Sequence, residues 1–231
     1  MNYKEIFEEI YRKGVWNDNR ADVPLSGPGS SVESARNALI LIDDFISDNN
    51  VKSVADLGCG DLTWVKSASF FNNDEIHYCG VDVVDSVIES HKKSYPRNIF
   101  PNKIFINEDI TKYIIQGVDL VILRDVIFHL KKDDINMIFK NIKNRFKYIA
   151  VTSSSNEVND DNMNQWFFAE RNIHKDPFNV GENFINYIYE EQFNRNFYIY
   201  RHGDFYLNQS YGLKSVLKNF AQWFNKSRLM A

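Results

Sequence analysis

The residues with the clearest chemical potential form one run, Asp56-Leu57-Gly58-Cys59-Gly60-Asp61, entered from the apolar pair Val54-Ala55. A strand that runs into a two-glycine turn lets the backbone approach a ligand closely and presents amides at the end of the turn. A second carboxylate, Asp82, lies in Gly80-Val81-Asp82-Val83, 22 residues after Gly60. An acid at the end of the next strand can accept hydrogen bonds from two ribose hydroxyls. A third stands in Asn107-Glu108-Asp109-Ile110. There Asp109 can take an adenine amine while the Ile110 amide meets the ring, or it can cap a helix over 111–116.

The fourth group is Arg124-Asp125-Val126-Ile127-Phe128-His129-Leu130. His129 follows Asp125 by one helical turn if the segment is helical. That spacing predicts an Asp–His pair that orients the imidazole and raises its basicity. An imidazole titrating near ~6.5 suits general-base work. The alternative is a histidine packed on a helix start and satisfied by a carbonyl. Arg124 offers a fork for an anionic group such as phosphate or carboxylate.

A dinucleotide is the main rival ligand for the glycine turn. Its fingerprint, Gly-x-Gly-x-x-Gly, needs a third glycine where this chain has Thr63. Asp56 and Asp61 also flank the turn with negative charge, which repels a pyrophosphate and suits the ammonium and sulfonium groups of S-adenosylmethionine. Ahead of the turn, Ser26-Gly27-Pro28-Gly29-Ser30-Ser31 supplies small side chains and amides. It reads as a lid that shields the sulfonium from water, or as a cap for the helix that follows. Trp16 either packs under that lid or stacks on a ligand. Trp64, on the first turn after the glycines, reaches the acceptor or joins the core.

Elements must place these groups together. Residues 3–13 read as an amphipathic helix with Ile6, Phe7, Ile10 and Tyr11 on one face, and 32–49 as a second helix. Strand candidates follow at Ser53–Leu57, Ile76–Val81, Lys103–Ile106, Leu120–Leu123 and Tyr148–Thr152, with helical or turn-like segments at 62–71, 85–93, 111–116 and 132–145. Strands alternating with helices predict a parallel sheet covered on both faces. Later, Phe184–Tyr189 and Phe197–Tyr200 predict an antiparallel pair at one sheet edge, before a short helix at 213–224. No linker is visible, so one domain of 231 residues is expected. Residues 1–50 form an N-terminal helix-loop-helix cap, 51–152 the cofactor-binding core and 153–231 the acceptor side.

Bulk composition narrows the functional classes. The net charge is −4, and no cluster of Lys and Arg with interleaved aromatics appears; nucleic acid is disfavoured as a partner. No run approaches the ~20 apolar residues of a membrane span, and no signal-type segment opens the chain, so a cytoplasmic protein is expected. The two cysteines, Cys59 and Cys79, suit neither a disulfide scaffold nor a zinc site. Asp160 and Asp161 could hold a divalent ion but read better as a solvated loop, so no metal is assigned.

From Val51 to Thr152 the chain resembles the class I, Rossmann-like S-adenosylmethionine-dependent methyltransferases. The likeness rests on Val-Ala-Asp-Leu-Gly-Cys-Gly-Asp, Gly-Val-Asp-Val, Asn-Glu-Asp-Ile and Asp-Leu-Val-Ile-Leu-Arg-Asp-Val-Ile-Phe-His-Leu. It implies an α/β three-layer sandwich whose seven-stranded sheet is parallel except for an antiparallel last strand. By resemblance Asp56, Gly58 and Gly60 line the methionine part, Asp82 holds the ribose, and Asp109 with Ile110 holds the adenine; Cys59 and Val83 are further cofactor-binding candidates. Leu123 or Arg124 adds backbone contacts, and Trp16, Ser26 and Gly27 close over the cofactor. A looser likeness joins Trp16, Ser26-Gly27-Pro28-Gly29-Ser30 and Asp61-Leu62-Thr63-Trp64 to bacterial methyltransferases associated with capsule and surface polysaccharides. It implies a sugar or sugar-linked small-molecule acceptor.

The expected reaction is therefore methylation of a small-molecule hydroxyl, with His129 as base, Asp125 orienting it or contacting the substrate, Arg124 holding an anionic group, and Trp64 and Phe178 on the acceptor. Alternatives are N-methylation of a phosphorylated amine, methylation of RNA or protein, and non-catalytic binding of S-adenosylmethionine. A homodimer is the one assembly considered.

Overall fold

The computed structural model describes residues 2–165 and 167–206; the helix expected at 213–224 lies outside them. Helix α1 (Tyr3–Lys13) starts on an Asn2 side-chain cap and stops at Gly14, which adopts a left-handed conformation. Helix α2 (Val32–Asp48) starts where the Ser31 side chain accepts from the Ser34 amide. Between them runs a loop whose only regular piece is a 3-10 turn at Pro28–Ser30.

The strands are β1 (Ser53–Leu57), β2 (His77–Asp82), β3 (Lys103–Asn107), β4 (Val118–Leu123), β5 (Phe146–Ser154), β6 (Asn186–Glu190) and β7 (Arg195–Arg201). They form one sheet in the order β3-β2-β1-β4-β5-β7-β6. Neighbours from β3 to β5 are parallel, and β7 runs antiparallel to both β5 and β6. The late pair thus forms as expected, but the second strand inserts beside β5 and the first takes the edge. Helices α3 (Asp85–Ser94), α4 (Lys132–Ile142) and the short α5 (His202–Phe205) complete the layers.

Alternation along the strands sends side chains to two faces. Val54, Leu120, Ile122 and Ala150 pack with α2, including Ala38, Ile42 and Phe45. Ala55, Leu57, Val121, Leu123 and Ile149 pack with α4, including Ile135, Ile138 and Phe139, and with Tyr3 of α1. Strands buried on both faces read as the near-continuous apolar runs that marked them in the sequence.

Of the four segments expected to be helical or turn-like, 85–93 and 132–145 hold helices and 62–71 and 111–116 are turn-like. Within 62–71 there is only a 3-10 turn at Val65–Ser67, and 111–116 is irregular. Both segments turn immediately beside the strand ends, where side chains rather than successive helical bonds satisfy the backbone. Asp61 takes the Thr63 amide, and Asp109 takes both the amide and hydroxyl of Thr111.

Candidate active site

The carboxyl ends of β1, β2 and β4 converge beneath the loop 14–31 and helix α1. The turn after β1 is held by its glycines. Gly58 has φ 83°, and a Cβ there would meet Val126 Cγ2 at 2.5 Å. Gly60 has φ 54°, and its Cβ would meet Ser26 Oγ at 2.8 Å. Asp82 ties the turn to β2 by accepting from the Gly60 amide at 2.9 Å and the Val84 amide at 3.0 Å. Its carboxyl is raised by burial, which outweighs these two amide bonds. From α3, His91 Nε2 bonds the Gly60 carbonyl at 2.7 Å. The lid fastens to the same turn reciprocally. The Ser26 amide donates to Asp61 Oδ2, and the Asp61 amide donates to Ser26 Oγ, each at 3.1 Å. Burial alone would raise Asp61, but the Ser26 and Thr63 donors hold it below its ordinary range.

Two clefts open around these elements. The first, about 770 Å³ with its mouth, is lined by Gly58, Cys59, Gly60, Asp82, Val83, Asp109 and Ile110 on the sheet side. Tyr3, Phe7 and Tyr11 of α1, with Trp16, Ser26 and Ser30, close it from above, and Trp64, Arg124, Asp125 and His129 stand at its end. The second, about 1060 Å³ with its mouth, is walled by Trp16, Phe128, Phe168 and Phe193, with Asp18, Asn164 and Arg195 among its polar groups. Trp16, Ser26, Asp125 and His129 line both clefts. Concave linings of aromatic side chains with a few polar groups belong to small-molecule sites.

At that junction His129 Nδ1 lies 2.7 Å from the Phe167 carbonyl oxygen. A carbonyl only accepts, so Nδ1 carries the proton and Nε2 keeps its lone pair. The ring sits 4.5 Å from the Trp16 ring centroid and is also flanked by Phe7 and Phe168. Burial pushes its pKa below the usual histidine value.

This arrangement corrects the expected Asp125–His129 pair. Asp125 adopts φ 63°, and only a 3-10 turn at Ile127–His129 follows, so the helical spacing is lost. Asp125 instead turns to two arginines. Its Oδ2 is 3.1 Å from Arg124 Nη1 and 2.9 Å from Arg195 Nη2. The expected rise in His129 basicity is likewise reversed, because desolvation opposes the imidazolium.

Arg124 is no open fork for an anion. Its side chain is 2% exposed. It donates to Glu190 Oε1 and to the Gly29 carbonyl, each at 2.9 Å, and lies 5.3 Å from the Trp64 ring centroid. Arg195 closes the set through Nε to Glu190 Oε2 at 2.6 Å. Sequence reasoning missed both Glu190 and Arg195. They face each other across β6 and β7, a pairing legible only once the antiparallel register is known. It also missed Tyr3, Phe7 and Tyr11 as cleft residues, although the amphipathic face of 3–13 contained two of them.

The other expected positions divide. Gly58, Cys59, Gly60, Asp82, Val83, Asp109, Ile110, Arg124, Trp16 and Ser26 line the first cleft. Gly27 lines the second. Trp64 belongs to the first cleft and to the core beneath it, not to the aromatic second cleft. Asp56 lines neither cleft. It is buried under the turn, where Tyr78 donates to it at 2.7 Å. Leu123 is fully buried and its side chain packs toward α4. Phe178 is 1% exposed, meets Phe139 edge-on in the core and lines neither cleft. Asp160 and Asp161 bond Asn162 and the Lys132 amide.

No family model matches the chain, and no curated protein matches it. Solved structures do. One is magnesium protoporphyrin IX methyltransferase, ChlM, from Synechocystis PCC 6803 with bound SAM, at TM-score 0.59 and 12% identity, over 87% of this chain and 98% of that one. Another is the methyltransferase domain of bacterial CtHen1-CN, at TM-score 0.53 and 17% identity, over 74% of this chain and 100% of that one. A Nostoc punctiforme PCC 73102 protein named as an O-methyltransferase matches at TM-score 0.51 and 13% identity, over 71% of this chain. The matched region is 56% of that protein's length. At these identities the likeness is one of fold, and that fold is the Rossmann-like sandwich of the class I methyltransferases.

Proposed function

We propose that this protein is an S-adenosylmethionine-dependent methyltransferase that methylates a hydroxyl of a small molecule, with a sugar or sugar-linked compound as the acceptor class. The observation that carries this reading is the pair of clefts that meet at His129. A transfer enzyme must bring a donor and an acceptor to one boundary, and four residues here line both chambers.

The first cleft fits the cofactor by its chemistry. Asp82 and Asp109 line it, and its one guanidinium, Arg124, is already matched by carboxylates. Such a lining favours a cationic ligand and opposes a pyrophosphate. Asp82 would hold the ribose, Asp109 and Ile110 the adenine, and Gly58–Gly60 the amino-acid end. When bound, the cofactor supplies a methyl group activated by its sulfonium. The protein's own work is alignment, exclusion of water and removal of the acceptor proton. Trp16, Ser26 and the α1 aromatics cover the cleft, and holding reactants aligned contributes several kcal/mol. His129, with Nδ1 committed to Phe167, accepts the hydroxyl proton at Nε2. The aromatic walls of the second cleft offer flat surfaces to a ring-shaped acceptor.

Calorimetric titration with S-adenosylhomocysteine, followed by a screen of glycosides and nucleotide-linked sugars for methyl transfer, tests the reading. Saturable binding and turnover of a hydroxyl acceptor are expected. No binding of S-adenosylhomocysteine would refute it. Binding without turnover of any acceptor would favour a non-catalytic binding protein.

A further inference from the structure

The second cleft carries an electrostatic restriction on the acceptor, and it rests on the methyl-transfer reading. The charged residues that line this cleft are Asp18, Asp125 and Arg195. Arg195 is paired twice, with Asp125 Oδ2 at 2.9 Å and with Glu190 Oε2 at 2.6 Å. Arg124, directly behind, is shared between the same two carboxylates. Two guanidiniums and two carboxylates therefore cancel. Asp18 is exposed and has no opposing cation among the lining residues. His129 adds no charge near neutral pH, because burial holds its pKa low.

Within the network, three buried atoms have no well-aligned hydrogen-bond partner: Arg124 Nε, Asp125 Oδ1 and Arg195 Nη2. Of the two on residues that line the cleft, Asp125 Oδ1 needs a donor and Arg195 Nη2 an acceptor. A hydroxyl is both. Gly29 packs directly against the pair: a Cβ there would sit 3.1 Å from both Asp125 Oδ2 and Arg195 Nη2. Trp16, Phe128, Phe168 and Phe193 supply the surrounding ring surfaces, and the Arg195 guanidinium lies 4.3 Å from the Phe193 centroid.

We propose that the second cleft selects an uncharged ring-shaped acceptor by anchoring one of its hydroxyls on the Asp125–Arg195 pair, and that it rejects phosphorylated and carboxylated molecules. An anion entering here meets two carboxylates and finds both guanidiniums already neutralised. To win Arg195 it must displace a buried carboxylate and leave that charge uncompensated. Specificity comes from this repulsion as much as from the anchor. Asp125 and Arg195 are thus specificity-determining residues, distinct in role from the proton acceptor His129.

The test uses the full chain saturated with S-adenosylhomocysteine and two probes matched in their aromatic group, 4-nitrophenyl β-glucoside and 4-nitrophenyl phosphate. Calorimetry is expected to show the glucoside binding at least about tenfold more tightly. Asp125→Asn removes one carboxylate and leaves Arg195 with spare charge. It is expected to weaken the glucoside and strengthen the phosphate by about tenfold or more, with the gain fading as salt rises. Asp18→Asn, exposed and outside the network, is expected to shift the preference in the same direction by less, and it serves if Asp125→Asn does not fold. Equal or tighter phosphate binding in the natural protein overturns the proposal, as does absence of glucoside binding or indifference of both probes to both substitutions. Failure to bind S-adenosylhomocysteine is a separate outcome, since it refutes the methyltransferase reading itself.

Discussion

Replacing Asp56 by Asn is expected to stabilise this protein, and to do so only above mildly acidic pH. Asp56 sits in the middle of the sheet, 2% exposed, with Tyr78 donating to it at 2.7 Å. Burial raises its carboxyl from 3.8 to about 7, against the lowering effect of the Tyr78 bond. An unfolded chain ionises this group near 3.8. Between those two values the native state binds a proton that the unfolded state has released, so stability falls as pH rises through the window. Three units at 1.36 kcal/mol each correspond to a penalty of about 4 kcal/mol once both states are ionised. Asn keeps an oxygen for Tyr78 but brings an amide that must find its own partner, which trims the expected gain to about 2–4 kcal/mol. Urea unfolding of both proteins at a series of pH values from about 4 to about 8 reads the difference. The difference between Asp56→Asn and the natural protein should be zero or slightly unfavourable to the variant at the acid end and shift in its favour by about 1 kcal/mol per pH unit. A difference independent of pH, or a variant less stable at pH 8, would refute the reasoning. Because Asp56 lines neither cleft, affinity for S-adenosylhomocysteine should change by less than about tenfold, or roughly 1.4 kcal/mol.

Two further outcomes are expected. With a hydroxyl acceptor, kcat should fall on the acid side as His129 takes a proton, and burial of that ring places this limb below the ordinary histidine value near ~6.5. His129→Ala should lower kcat by roughly 10²–10⁴-fold and abolish the limb, and a loss under tenfold would exclude it as the base. Phe178→Ala should cost about 3–5 kcal/mol of stability in denaturant unfolding. Where the variant remains folded, its KM for acceptor should be unchanged, since Phe178 packs on Phe139 rather than on a cleft.

Much of this molecule was legible before any coordinates. Periodicity and glycine placement located α1, α2 and β1 within a residue of their ends, because apolar strands and capped amphipathic helices are local consequences of residue type. The first cleft was legible for the same reason. Gly58, Gly60, Asp82 and Asp109 all stand at the carboxyl ends of parallel strands, and that topology brings such ends together whatever the details of packing. The sequence leaves 62–71 and 111–116 open between helix and turn, and both are turns because side-chain bonds from Asp61 and Asp109 replace the helical ladder there.

The second cleft was not legible, and the reason is register. Glu190 and Arg195 are five residues apart in the chain and look like ordinary surface charges. They became a buried pair only because β7 inserts antiparallel between β5 and β6. Asp125 seemed to face His129 by helical spacing, but a left-handed backbone at that residue delivered it to Arg195. Residue type and spacing by themselves determined the parallel sheet, the glycine turn and the acids that surround it. Tertiary structure alone decided which charges are neutralised, because pairing depends on distances across strands that no local pattern encodes.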